Sequence, residues 1–203
     1  MRFFCLTMAL AFIFSLNAKA QQLAAKYYFD ANAKGLAGEY NAAIDLFSQA
    51  LEAGYSEEDV RLNRGICYYN KRKYKEALFD FSKVIQINQS NFKAFNERGL
   101  CKLALGDKSG ALNDFNDAIA LNDQNPGYYY NRALAFYGLG LYADAINDLT
   151  ISINLDSQMS EAYYKRGIIY FVSGTREAAC IDLSKAVDLG NREASDVIKM
   201  YCR

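Results

Sequence analysis

Arg64, Arg98, Arg132 and Arg166 stand 34 residues apart, and sixteen residues after each lies an aspartate: Asp80, Asp114, Asp148 and Asp182. A guanidinium beside a carboxylate can bind an anion, orient a reacting group or neutralise its partner. Catalysis needs such a pair once, not four times at fixed spacing. The other ingredients of side-chain catalysis are missing. No histidine occurs in the 203 residues, which removes Ser-His and Cys-His nucleophile activation and every histidine metal site. No CxxC spacing, glycine-rich phosphate loop or isolated acid pair stands out. The reading is therefore of a protein that is not an enzyme, with no metal and no cofactor.

These charges ride on a periodic framework. Ala43, Ala77, Ala111, Ala145 and Ala179 repeat every 34 residues without insertion. Four residues after each comes Phe47, Phe81, Phe115, Leu149 or Leu183, and three further on Ala50, Val84, Ala118, Ser152 or Ala186. That i, i+4, i+7 spacing is one apolar face of a helix. Upstream, Tyr27, Arg61, Phe95, Tyr129 and Tyr163 are each followed four residues later by Ala31, Gly65, Gly99, Ala133 or Gly167, which makes a second helix per unit. Between the two sits a turn: GEY at 38–40, GDK at 106–108, GLY at 140–142 and GTR at 174–176, with glycine where a helix ends. In the second unit Arg72 takes the glycine's place.

Five in-register copies of a helix-turn-helix with these small and aromatic columns resemble the tetratricopeptide repeat family. The units span 24–57, 58–91, 92–125, 126–159 and 160–193. The resemblance implies an all-α, right-handed α-solenoid of five tandem repeats, with the first helices lining a concave groove. The pattern departs from the family in Ala31 and Lys34 of the first unit and in the missing closing prolines. Asn91, and Asn125 before the single proline Pro126, mark helix starts instead. A capping helix over about 192–202 is expected to cover the last repeat.

Folding each hairpin about its turn brings Arg64, Arg98, Arg132 and Arg166 level with Asp80, Asp114, Asp148 and Asp182. Two readings follow: a structural ladder of ion pairs, or a basic groove for an acidic ligand. In the first unit Asp30 and Leu46 replace both members together, which favours pairing. The groove implied by the resemblance is rich in amides and aromatics: Asn32, Asn63, Tyr69, Asn70, Lys93, Asn96, Tyr130, Asn131, Tyr137, Tyr164, Lys165 and Phe171. Amides can bond both sides of an extended backbone and tyrosine supplies large contact area. Tyr69, Tyr137 and Phe171 have packing on the adjoining helix as an equal alternative. Some members of the family grip a terminal carboxylate with Lys, Asn, Asn, Lys and Arg. Asn32, Asn63 and Lys93 match three of those places, but Tyr28 and Glu97 occupy the others, and no such clamp is expected.

Residues 1–20, MRFFCLTMALAFIFSLNAKA, have an early Arg2, an apolar run and an A-x-A ending, which reads as a signal peptide cleaved between Ala20 and Gln21. The remaining 21–203 reads as a single repeat domain, exported to the periplasm or secreted, with no membrane span. Two of the 23 basic residues, Arg2 and Lys19, go with the leader, leaving 21 against 23 acidic ones. That balance offers nothing to nucleic acid. In an oxidising compartment, Cys180 at the start of the last unit's second helix should meet Cys202 at the end of the cap in a disulfide. Cys67 and Cys101 read as small buried residues. The functional reading is a non-catalytic scaffold of the cell envelope or extracellular space that binds a protein or peptide through the groove. A self-associating, homo-oligomeric subunit of an envelope assembly is the alternative, and a glycan-binding module with tyrosine platforms is the third.

Overall fold

The structure is a computed structural model; it describes the backbone of residues 2–202 and the side chains of residues 17–202. Among the described residues the chain is helical throughout, with no strand. The helices are α1 (Arg2–Leu36), α2 (Tyr40–Glu52), α3 (Glu57–Asn70), α4 (Tyr74–Ile87), α5 (Phe92–Ala104), α6 (Lys108–Leu121), α7 (Pro126–Gly138), α8 (Tyr142–Leu155), α9 (Ser160–Val172), α10 (Arg176–Asp188) and α11 (Arg192–Tyr201). They fall into two compact units that divide between Gln89 and Ser90. In the first, α1 pairs with α2, α3 pairs with α4, and α2 packs on α3. In the second the pairs are α5 with α6, α7 with α8 and α9 with α10. Each pair's second helix packs onto the next first helix, and α10 packs onto α11. The chain is thus a helical solenoid of tandem hairpins with a capping helix. Among the described residues no helix is long and apolar enough to cross a membrane.

The small and aromatic columns form the interior. Ala31, Ala43, Phe47, Ala50, Val60 and Cys67 build the core of the first unit. In the second, Ala111, Phe115 and Ala135 form one cluster, and Ala133, Ala145, Leu149, Ile153, Ala162 and Ile169 another. Leu183 and Ala186 are closed over by Ala194 of α11. Each buried Phe or Leu contributes roughly 1.5–3 kcal/mol of transfer free energy. Close approach depends on glycine: a Cβ on Gly65 would lie 2.6 Å from the Phe81 ring, and one on Gly99 the same distance from Phe115.

The ends of the helices follow local chemistry. Asn91 and Asn191 accept from the backbone N–H of Ala94 and Ala194, and Asn125 accepts from Gly127 with Pro126 in the first turn. The hairpin turns use a left-handed residue at Gly38, Gly106, Gly140 and Gly174. Arg72 adopts the same conformation at φ 58° without being glycine. It is held there by the bonds of Arg72 N–H to the Tyr69 carbonyl and Lys73 N–H to the Tyr68 carbonyl.

Candidate functional site

The arginine and aspartate columns meet on facing helices of the same hairpin. Arg64 donates from Nε and Nη2 to the two oxygens of Asp80 at 2.8 and 2.9 Å. Arg98 does so to Asp114 at 3.0 and 2.6 Å, Arg132 to Asp148 at 2.7 and 2.8 Å, and Arg166 to Asp182 at 2.7 and 2.9 Å. All four aspartates are buried. Buried carboxylates survive only when their lone pairs are met by a cation in good geometry, and the planar guanidinium fork supplies this bidentately. Hydrogen bonds to Asp80, Asp148 and Asp182 hold Arg64, Arg132 and Arg166 more firmly protonated than usual, against the opposing effect of burial.

The remaining donor reaches backwards. Arg64 Nη1 donates to Ser48 Oγ at 3.0 Å, Arg132 Nη1 to Asn116 Oδ1 at 2.8 Å and Arg166 Nη1 to Thr150 Oγ1 at 2.9 Å. Each of these arginines therefore ties three helices: its own, its hairpin partner and the second helix of the preceding pair. The guanidinium faces are covered as well. Arg132 lies by the rings of Tyr129 and Phe136, and Arg166 by those of Tyr163 and Tyr170. Where those flanking positions hold a cation instead, it joins the aspartate: Arg61 reaches Asp80 at 3.0 Å and Lys102 reaches Asp114 at 2.8 Å. These guanidinium donors and faces are spent on the framework, which leaves the column unsuited to an acidic ligand.

The first-helix faces differ. In the first unit a cleft of about 430 Å³ is lined by Asn32, Asn63 and Asn70, over Tyr40, Phe47 and Ile66. Asn32 Nδ2 donates to the Tyr28 carbonyl at 2.8 Å and Asn70 Nδ2 to the Ile66 carbonyl at 3.0 Å, both one turn back on their own helix. Asn63 Nδ2 donates to the Tyr28 hydroxyl at 2.9 Å. All three amides thus turn their N–H toward the framework.

In the second unit Lys93 is exposed, and a cleft of about 460 Å³ gathers Tyr130, Tyr164 and Lys165 with Glu161 and the start of α11 at Arg192 and Glu193. Burial, together with the charges of Glu161 and Glu193, pushes the Tyr130 hydroxyl up. The Tyr164 hydroxyl is likewise raised by burial and Glu193. Lys165 Nζ sits over the rings of Tyr137 and Tyr164.

Some expected groove residues lie elsewhere. Asn96 is 5% exposed; its Oδ1 accepts from Asn131 Nδ2 at 2.9 Å and its Nδ2 donates to Glu97. It is an interior bracket between α5 and α7, not a groove amide, and it fixes Asn131 with it. Its neighbour Glu97 is raised by burial, against the opposing bond from Asn96. Tyr69 packs on Tyr74 at 5.4 Å between ring centres, Tyr137 on Tyr142 at 5.9 Å and Phe171 on Tyr201 at 4.7 Å. These three seal helix junctions: the first two face a ring five residues on across the turn, and the third faces the cap.

Cys180 and Cys202 form a disulfide with Cα atoms 5.7 Å apart, tying α10 to the end of α11. Cys67 and Cys101 are buried free thiols, pushed up by burial to about 11 and about 12. Among the described residues no cluster of acidic or sulfur ligands is arranged for a metal. Ala20 and Gln21 are exposed positions within α1. The sequence reading missed the backward acceptors. Their signal is the column Ser48, Asn116 and Thr150, which differ in type and share a side-chain oxygen at multiples of 34.

Residues 59–91 match a family model described as tetratricopeptide repeat, and 96–150 and 130–194 match a second model of the same description. No curated protein matches the sequence significantly. Among solved structures, MamA from Desulfovibrio magneticus RS-1 is 18% identical, over 82% of this chain and 94% of that one, with a TM-score of 0.75. YrrB, described as a TPR protein with an unusual peptide-binding site, is 24% identical over 85% of this chain and 90% of its own, with a TM-score of 0.69. TTC0263 from Thermus thermophilus is 17% identical over 88% and 97%, with a TM-score of 0.70. At these identities the likeness is one of fold.

Proposed function

The chain belongs to the tetratricopeptide repeat family, and on that premise we propose that it is a non-catalytic scaffold binding a protein or peptide along the first-helix faces of its hairpins. One contrast carries the reading. The charged columns are consumed by bonds within the framework, whereas Asn32, Asn63 and Asn70 line an open cleft with an apolar floor. Amides beside apolar surface suit an extended chain, whose backbone needs hydrogen bonds and whose side chains need cover. The peptide-binding site described for YrrB supports the same class of partner.

The scaffold acts in the periplasm or outside the cell, after removal of residues 1–20 between Ala20 and Gln21. The charged Arg2, the apolar run and the Ala18-Lys19-Ala20 ending support export. Intact-mass analysis of exported protein should begin at Gln21, and retained Met1 would refute the assignment.

The binding reading is tested by crosslinking and pulldown from native envelope extracts with wild type, Asn63→Ala and Asn70→Ala, each with a melting curve so that lost contact is separated from lost fold. Enrichment of one partner by wild type alone, at unchanged Tm in Asn63→Ala, is the expected result; equal recovery by all three refutes groove binding. Self-association is the second reading, favoured by the exposed apolar Ile181 and Met200 on α10 and α11. A dimer in light scattering that Ile181→Glu dissociates would establish it.

A further inference from the structure

The position five residues before the first residue of each hairpin's second helix carries Tyr69, Leu103, Tyr137 and Phe171 in four repeats and Gly35 in the first. In the second and fourth repeats the ring there packs against a tyrosine across the turn, Tyr69 on Tyr74 and Tyr137 on Tyr142. The first repeat keeps the second half of the pair, Tyr40, and lacks the first.

Neither usual reason for a glycine applies. Gly35 is not among the left-handed residues, and a Cβ there would sit 3.6 Å from Cys67 Sγ and 4.0 Å from Ala43 Cβ, ordinary contact distances. Gly35 lies in the last turn of α1, where a glycine gives up side-chain contacts that a larger residue would make and gains no packing in return. What the missing side chain does is leave space: Gly35 and Tyr40 both line the 430 Å³ cleft.

The rim of that cleft has a definite polarity. Asn32, Asn63 and Asn70 each spend Nδ2 on the framework, and among the described residues no donor reaches their Oδ1 atoms. Three negative dipole ends around an uncharged apolar floor complement a row of N–H donors carrying an apolar side chain. An extended backbone is such a row, whereas an acidic or phosphorylated group would meet oxygens and no cation.

We propose that the first-unit cleft is a pocket for one aromatic side chain of an extended peptide segment, which takes the ring position vacated at Gly35 against Tyr40 while its backbone N–H groups donate to Asn32, Asn63 and Asn70. This rests on the groove reading above and adds a side-chain class and a place.

The test uses phage-displayed random decapeptides panned on the full chain, with the selected peptides resynthesised and titrated by fluorescence polarisation. Gly35→Tyr supplies the missing ring intramolecularly. It should fold with an unchanged or raised Tm and bind about tenfold or more weakly, while Gly35→Ala binds like wild type. Asn70→Leu, at an exposed position, should weaken binding about five- to tenfold, and Asn70→Asp, which keeps an acceptor, by less than about threefold. Selected peptides should share an aromatic residue. Peptides that lack one, or that bind Gly35→Tyr as tightly as wild type, overturn the pocket and leave groove binding standing. Enrichment of no peptide overturns the groove reading itself. A wild-type dimer that Gly35→Tyr dissociates assigns the pocket to a second copy and overturns the peptide.

Discussion

The first hairpin and the four that follow it solve one packing problem differently. From the second hairpin on, an arginine on the first helix grips a buried aspartate on the second. In the first, Asp30 is exposed and Leu46 packs against the core instead. The first hairpin still joins the network, since Ser48 of α2 receives Arg64 of α3. An apolar residue suffices to close one pair of helices. Tying a pair to the one before it takes a side chain with donors pointing in two directions, as Arg64, Arg132 and Arg166 have.

The contrast is broken most strongly by orphaning a rung. Asp148→Ala leaves the Arg132 guanidinium without its carboxylate in a half-buried site and should cost about 3–5 kcal/mol in urea unfolding, whereas Asp30→Ala should stay within about 0.5 kcal/mol of wild type. Equal effects would mean that the ladder does not separate these regions. At the other end, Cys202→Ser opens a covalent loop of sequence separation 22 and should destabilise α10–α11 by about 3 kcal/mol in the chain-entropy account. On protein lacking residues 1–20, thiol titration in denaturant without reductant should count two groups, those of Cys67 and Cys101; four would contradict the disulfide.

A smaller effect tests the spacing of the helices. Ala31 already carries its methyl group buried in the first hairpin, but the equivalent Gly65→Ala drives a Cβ into the Phe81 ring and should cost about 1–3 kcal/mol. Arg72→Gly makes the second turn like that of the first, and relief of left-handed strain should raise stability by about 0.5–1 kcal/mol net of the added unfolded-state freedom. The last comparison is by pH. Glu97 stands in the column of Phe29 and Asn63, and burial raises its carboxyl. A raised acid is destabilising when ionised, so its cost appears as pH climbs through the folded value and vanishes below the unfolded one of about 4.3. Glu97→Gln should therefore melt higher than wild type at pH 7, with the advantage lost by about pH 4.

Much of this framework is legible in the sequence because the repeat length is constant. A helix pair that recurs every 34 residues puts Ala43, Phe47 and Ala50 on the same face as Ala111, Phe115 and Ala118, and the mirror position of Arg and Asp about the turn follows from hairpin geometry alone. Depth is harder to read. Periodicity assigned Asn96 to the right helix, but whether an amide lies outside or inside depends on about one residue of rotation, some 100°, and on Asn131 reaching it from the next hairpin. Tyr69, Tyr137 and Phe171 were ambiguous for a related reason: their partners Tyr74, Tyr142 and Tyr201 lie across a turn or on the cap. The backward acceptors escaped because a column of Ser, Asn and Thr has no common residue type, only a common oxygen.

The direction of the arginine bonds bears on how the protein is made. Arg132 and Arg166 take one partner sixteen residues ahead and another sixteen residues behind, never one from a later repeat. Such a rung can close as soon as its own hairpin is free to fold, with nothing owed by later sequence. Order along the chain and order of closure can coincide for the Arg132 and Arg166 rungs, each fastened to the hairpin before it, whereas the Cys180–Cys202 disulfide waits for α11.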